Sequence, residues 1–139
     1  MTRTERLATF KDPKERAIAE YLENQGRVTI QNPLEGVAGA GRQGDSFVNG
    51  VKTEFKTLTP KMDGTPHTAD TVQKVIKRSR TDGGQAEHIV IDARNVNISE
   101  AELHRGISKY FGASDGNLKS VEVIRIENGV EYSFTRLNQ

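Results

Sequence analysis

A chain of 139 residues with 34% apolar and 28% charged side chains and a mean hydropathy of -0.65 has the size of one domain, polar but able to bury a core. It has no apolar run of about 18 residues and no leader with a charged start and an apolar middle, which argues against a membrane span and a secretory signal. Zero cysteines exclude disulfides, thiolate zinc sites and cysteine nucleophiles, and the net charge of +1 is too mild to identify a nucleic-acid partner by itself.

The first helix is predicted from Asp12, with Pro13 at its first position, Glu15 completing a capping-box pattern, and Ala17, Ile18, Tyr21 and Leu22 as the apolar stripe. Gly26 ends it. Arg27 to Ile30 reads as a short strand that Asn32-Pro33 breaks. Residues 34–44 hold Gly36, Gly39, Gly41 and Gly44, but no Gly-Lys-Ser/Thr follows and no helix is due next, so a flexible loop is a better reading than a phosphate loop.

The stretch from Asp45 to Leu58 reads as a β-hairpin. Asn49-Gly50 suits a two-residue type I′ turn, whose central residues both need φ > 0. With Val48 opposite Val51, the ladder sets Phe47 against Lys52, Ser46 against Thr53 and Asp45 against Glu54. Alternation then points Lys52, Glu54 and Lys56 to one side and Val51, Thr53, Phe55 and Thr57 to the other. Two carboxylates facing each other call for a cation, a metal or a shared proton, and Lys56 is placed to help. A solvated charged face is the plain alternative.

After a polar loop from Thr59 to Thr68, Asp70 is expected to cap a helix with Gln73 three residues on and Val72, Val75, Ile76 and Ser79 inward. Thr71, Lys74 and Arg78 fall in line along one edge. From Gln73 to Arg80 the chain carries Lys74, Lys77, Arg78 and Arg80 with no acid, a concentration that suits phosphates. Gly83-Gly84 terminates the helix, Gln85 follows, and His88 to Asp92 reads as a buried strand.

Ser99 and Glu102 form a capping box for a helix with Leu103, Ile107 and Tyr110 inward, Arg105 and Lys109 outward and Gly112 past its end. Ser120 to Ile126 and Val130 to Leu137 make a second hairpin around Asn128-Gly129. The fold class that follows is α+β: a mostly antiparallel twisted sheet with helices packed on one face. It forms one domain over 1–139, with an N-terminal helix and short strand (1–30) before the catalytic core (31–139).

Asp45, Glu54 and Lys56 beside a basic helix suit phosphodiester cleavage, with carboxylate or lysine for proton transfer and cations for the charge that develops on phosphorus. Two routes fit. In one, Asp45 and Glu54 hold a divalent metal such as Mg²⁺ and Lys56 stabilises the transition state. In the other no cofactor is used, an RNA 2′-hydroxyl attacks its own phosphate, and Glu54, Lys56 and a histidine or threonine manage the protons. Lys74, Lys77 and Arg78 would bind substrate phosphates. Asp45 is either catalytic or orients Lys56 and the hairpin. His67, in the loop before the basic helix, and His104 are histidines to weigh, and His88 opens the buried strand. A non-catalytic RNA- or protein-binding module, in which the cations matter and Glu54 does not, is the reading from another class.

The run Gly44 to Leu58, the basic helix, Gly84-Gln85-Ala86 and Ile89-Val90-Ile91-Asp92-Ala93-Arg94 resemble the C-terminal toxin domains of CdiA-type contact-dependent growth inhibition proteins. Several of these belong to the barnase, EndoU, colicin and RelE-like group of metal-independent RNases. The resemblance implies a tRNA-cleaving endoribonuclease toxin without a cofactor. Asp45, Glu54, Lys56 and Gln85 match the catalytic pattern, and Thr71 matches the Ser/Thr at the helix start. It also implies a cognate immunity protein as partner, which would meet the basic edge with an acidic surface, and leaves room for a host translation factor. Delivery would be as part of a larger secreted effector that acts in the target-cell cytoplasm. The same Asp, spacer, Glu-x-Lys order resembles the metal-dependent PD-(D/E)xK nucleases, many of which cut DNA; Glu20 and Glu23 on the first helix are the further acids such a site could recruit.

Overall fold

The computed structural model describes residues 1–33, 44–81, 86–113 and 116–139. The glycine-rich segment 34–43 and the positions of Gly83, Gly84 and Gln85 lie outside them. The chain divides into two compact units, Met1–Phe55 and Lys56–Gln139.

The first unit opens with a helix that the apolar periodicity does not announce, α1 (Arg3–Ala8). Its start is a capping box. Thr2 Oγ1 accepts from Glu5 N at 3.1 Å and Glu5 Oε1 accepts from Thr2 N at 2.8 Å. Six residues are too few to show a stripe, so the Thr-x-x-Glu pattern was the one local signal.

Helix α2 (Pro13–Asn24) begins where expected, with the Asp12 carboxylate accepting from Lys14 N at 2.8 Å. It ends in a Schellman arrangement: Gly26 N donates to Glu23 O and Arg27 N to Leu22 O. Ile18, Ala19, Tyr21 and Leu22 are buried, with Leu7, Phe10 and Phe55. Phe10 stacks on Phe55 at 5.7 Å between ring centroids. Glu23 binds three elements together, pairing with Arg6 of α1 at 2.7 Å and accepting from the main chain and hydroxyl of Thr29.

Strands β1 (Thr29–Gln31), β2 (Ser46–Val48) and β3 (Val51–Thr57) form an antiparallel meander. β1 sits slightly later than the sequence suggests because Thr29, not Arg27, is the first residue opposite β2. The hairpin turn is as expected. Asn49 and Gly50 have φ of 51° and 79°, and Val48 faces Val51.

The second unit contains the end of β3, α3 (Ala69–Thr81), β4 (His88–Asp92), α4 (Glu100–Ala113), β5 (Ser120–Glu127) and β6 (Val130–Leu137). β4 and β5 are parallel, because α4 carries the chain back between them, whereas β5 and β6 form the antiparallel hairpin read from Asn128-Gly129. Val72 and Ile76 of α3, Leu103, Ile107 and Tyr110 of α4, and Ile89, Ile91, Val121 and Val123 of the strands form one buried cluster. Both helices therefore lie on the same face of β4 and β5. The opposite face is not bare, since Val90 and Ile124 are buried there.

The mixed α+β reading holds: β1–β2, β2–β3 and β5–β6 are antiparallel pairs and β4–β5 is a parallel one. Gly112 lies within the last turn of α4 rather than beyond it. Gly106 sets the distance between the helices. A Cβ built there would stand 2.5 Å from Val72 Cβ and 2.6 Å from Ala69 O, so only glycine lets α3 come this close to α4.

Candidate active site

β3 orients Glu54 and Lys56 by burying their neighbours. Thr53 and Phe55 are 6% and 5% exposed, and alternation along the strand sends Glu54 and Lys56 together to the other side, where both are half-buried.

Asp45 does not join Glu54 as the register predicted. β2 is only three residues long and the ladder stops at Phe47–Lys52, so Asp45 lies outside it. Its main-chain carbonyl accepts from Asn32 N at 2.9 Å. Its side chain, 59% exposed, lies 3.7 Å from Lys52 Nζ, so Lys52 rather than Lys56 balances its charge. A pair this exposed is worth roughly 0–1 kcal/mol, too little to hold Asp45 in one place.

Glu15 has a second role beyond the capping pattern. Gln31, buried in β1, donates from Nε2 to Glu15 Oε2 at 3.1 Å and to Ser46 Oγ at 3.3 Å. Glu15, read as a capping residue, is thus tied to the residue that follows Asp45. The two acids proposed from α2 fare differently. Glu20 is exposed. Glu23 is committed to Arg6, whose hydrogen bond holds its carboxyl down at about 2. Asp45 and Glu54 remain the hard-oxygen donors that suit a divalent ion. Among the described residues no group of three or more Asp, Glu, His or Cys is placed to hold one.

On α3, Thr71 sits half-buried in the first turn, and Lys74, Lys77 and Arg78 are exposed. Arg80 does not extend that edge, because its guanidinium donates to Ala86 O and Asn117 Oδ1. Gln85 lies outside the described residues.

The expected cap of α3 is also different. Asp70 lies inside the first turn and pairs with Lys109 at 2.8 Å, and that hydrogen bond and charge lower its carboxyl. The leading amide, Ala69 N, is met by Glu102 Oε2 from α4 at 3.0 Å. Ser99 caps Glu102 N as read, but Glu102 spends its carboxylate on α3 and Arg105. No local pattern signals a cap that arrives from 33 residues away.

Two of the histidines are engaged. His104 stacks on Phe134 at 4.3 Å, and its Nδ1 accepts from Arg136 at 3.1 Å. His88 Nδ1 lies 2.6 Å from Ser120 Oγ. His67 places Nε2 2.6 Å from Thr59 O, which makes Nε2 the protonated nitrogen, while Nδ1 is buried with no partner among the described residues. Among the described residues no helix is long and apolar enough to cross a membrane.

The sequence profile of the contact-dependent growth inhibition CdiA C-terminal domain matches residues 42–130. That span takes in Asp45, Glu54, Lys56 and all of α3 and α4. Among solved structures, the chain is similar to one described as "CdiA-CT/CdiI toxin and immunity complex from Burkholderia pseudomallei", with 24% identity over 88% of this chain and 82% of that one and a TM-score of 0.59. At that identity the likeness is one of fold. No curated protein sequence gives a significant match.

Proposed function

The chain belongs to the contact-dependent growth inhibition CdiA C-terminal domain family, and from this premise we propose that it is a toxin nuclease that cleaves tRNA, carried into the target-cell cytoplasm as the end of a larger secreted effector and held inactive by a cognate immunity protein. The observation that carries the nuclease reading is the Glu54–Lys56 pair, half-buried and turned to the same side of β3 by the buried Thr53 and Phe55. The partner is proposed from the toxin and immunity complex that shares the fold.

Glu54 takes and returns protons at the attacked phosphate, and Lys56 neutralises the charge that builds on the non-bridging oxygens. Lys74, Lys77 and Arg78 hold the flanking phosphates. Thr71 and Gln85 complete the set by resemblance. In the cofactor-free route the RNA 2′-hydroxyl is the nucleophile, so DNA is spared.

One observation favours a second route. Asp45 is exposed and only loosely balanced by Lys52, so its carboxylate is available, with that of Glu54, as an oxygen ligand. A bound Mg²⁺ would supply an activated water there, with Asp45 and Glu54 holding it and Lys56 acting as before.

Purified protein incubated with total tRNA and with duplex DNA, each with excess EDTA or added Mg²⁺, tests both routes. Discrete tRNA fragments are expected, reduced about 10²- to 10⁴-fold in Glu54→Gln and in Lys56→Met. Cleavage that survives EDTA assigns the cofactor-free route, and cleavage that needs Mg²⁺ assigns the metal route. DNA cutting alone refutes the tRNA reading. Unchanged cleavage in Glu54→Gln refutes the assignment of the catalytic pair, and no cleavage in any lane favours a binding module.

A further inference from the structure

Outside the residues used above, the largest unexplained feature is a concentration of charge where α3 meets α4. Lys109 of α4 reaches Asp70 of α3 at 2.8 Å, and Glu102 of α4 bonds both Ala69 N of α3 and Arg105. These contacts join the outer surfaces of the two helices. Asp70 lies in the combined field of Lys109, Lys74 and Arg105, all of which favour its charged form. On α3, Lys74, Lys77 and Arg78 follow Asp70 at helical spacing, all exposed. Arg105 and Lys109 are 64% and 45% exposed at the side chain. Among the described residues the surface therefore carries five cations against the two carboxylates Asp70 and Glu102, in a chain whose net charge is only +1.

We infer that α3 and α4 together present one phosphate-binding surface, on which Arg105 and Lys109 extend the tRNA contact begun by Lys74, Lys77 and Arg78, and Asp70 restrains its affinity. The inference rests on the tRNA reading above and adds the residues that would fix how the substrate lies. Two features select RNA over an acidic protein as occupant. Among the described residues none of the large apolar side chains that are exposed lies on α3 or α4, and a protein interface is anchored by buried aromatic or aliphatic groups at its centre. A phosphate backbone needs only spaced, mobile cations. Two helices bearing cations also offer a face broader than one scissile phosphate, as positioning a folded RNA requires.

The central carboxylate predicts a sign that no loss of structure can mimic. Both side chains of the Asp70–Lys109 pair are largely exposed, so Asp70→Asn leaves the fold intact. Removing that negative charge from a surface that meets phosphates raises affinity.

The test is tRNA binding by the full chain carrying Glu54→Gln, so that binding is read without cleavage, across a series of KCl concentrations. Each phosphate contact contributes about 0.9 to the slope of log K against log salt. Arg105→Gln with Lys109→Gln is expected to lower that slope by about 2 and to weaken binding on the order of tenfold at low salt. Asp70→Asn is expected to tighten binding roughly twofold. Lys11→Gln with Lys14→Gln makes the same change in net charge on the first unit and is expected to keep the slope. An unchanged slope for the Arg105 and Lys109 variant, in a chain whose Glu54 form cuts tRNA, overturns the inference and leaves the tRNA reading standing; the surface would then suit an acidic protein partner. An equal loss in the Lys11 and Lys14 control also overturns it, as an effect of net charge alone. A chain that neither cuts nor binds tRNA overturns both.

Discussion

Gly106→Ala should separate α3 from α4 and destabilise the protein, although alanine is the better helix former. Gly106 is buried in the middle of α4. The added methyl would stand 2.5 Å from Val72 Cβ, 2.6 Å from Ala69 O and 3.0 Å from Val72 Cγ1. Carbon pairs are at their best separation near 3.5–4.0 Å, so the helices must part by roughly 1 Å. Neither neighbour is the free end of a flexible side chain. One is main chain and the other is a β-branched residue with no accessible surface. Overpacking of this kind costs about 1–3 kcal/mol, against a helix-propensity gain of about 1 kcal/mol. The upper half of that range applies here, for a net loss of about 1–2 kcal/mol and a fall in Tm of roughly 4–8 °C. Gly112 supplies the internal control. It lies in the same helix with nothing within 4 Å of an added Cβ, so Gly112→Ala should gain up to about 1 kcal/mol. Urea and thermal melts followed by circular dichroism give both numbers. A Gly106→Ala protein as stable as Gly112→Ala would refute the close approach of the two helices.

Two further predictions follow from groups that fasten elements together. The Arg6 guanidinium holds Glu23 at about 2, below its ordinary 4.5. Its contribution to stability is therefore complete above about pH 4.5 and is lost as the pH falls toward 2. The difference in urea midpoint between wild type and Glu23→Gln should shrink across that window, and a constant difference would show that Glu23 does not act through its charge. Arg80 serves the fold rather than the substrate, donating to Ala86 O and Asn117 Oδ1. Arg80→Met should cost about 1–3 kcal/mol in a thermal melt, by removing two charge-assisted hydrogen bonds. It should leave the salt slope of tRNA binding unchanged, whereas Lys77→Gln should lower the slope by about 1 with no loss of stability.

Much of the architecture was decided by contacts within a few residues along the chain, and these are the parts that sequence alone determined. Asn49-Gly50 and Asn128-Gly129 take the positive φ values a two-residue turn needs, so both hairpins could be read with their register. The stripe of α4, the apolar run of β4 and Ile18, Tyr21 and Leu22 of α2 are buried as their periodicity requires, with Ala19 rather than Ala17 completing the α2 face. Glu54 and Lys56 share a face for the same reason, since alternation is a property of the strand itself. What depended on partners tens of residues away was not legible. α1 is too short to show a stripe, and Glu23 secures it from 17 residues on. Asp70 became a surface ion pair with Lys109 because α3 starts one residue earlier, at Ala69, whose amide Glu102 meets from α4. Asp45 left Glu54 because β2 ends after three residues, before the ladder reaches it. The joining of Lys74 to Arg105 and Lys109 in one charged surface required α3 and α4 to pack, and that rests on the missing side chain of Gly106. Local spacing sets which way a side chain leaves its element; which charges then meet is settled only when the elements dock, because a Coulomb interaction depends on separation in space and not along the chain.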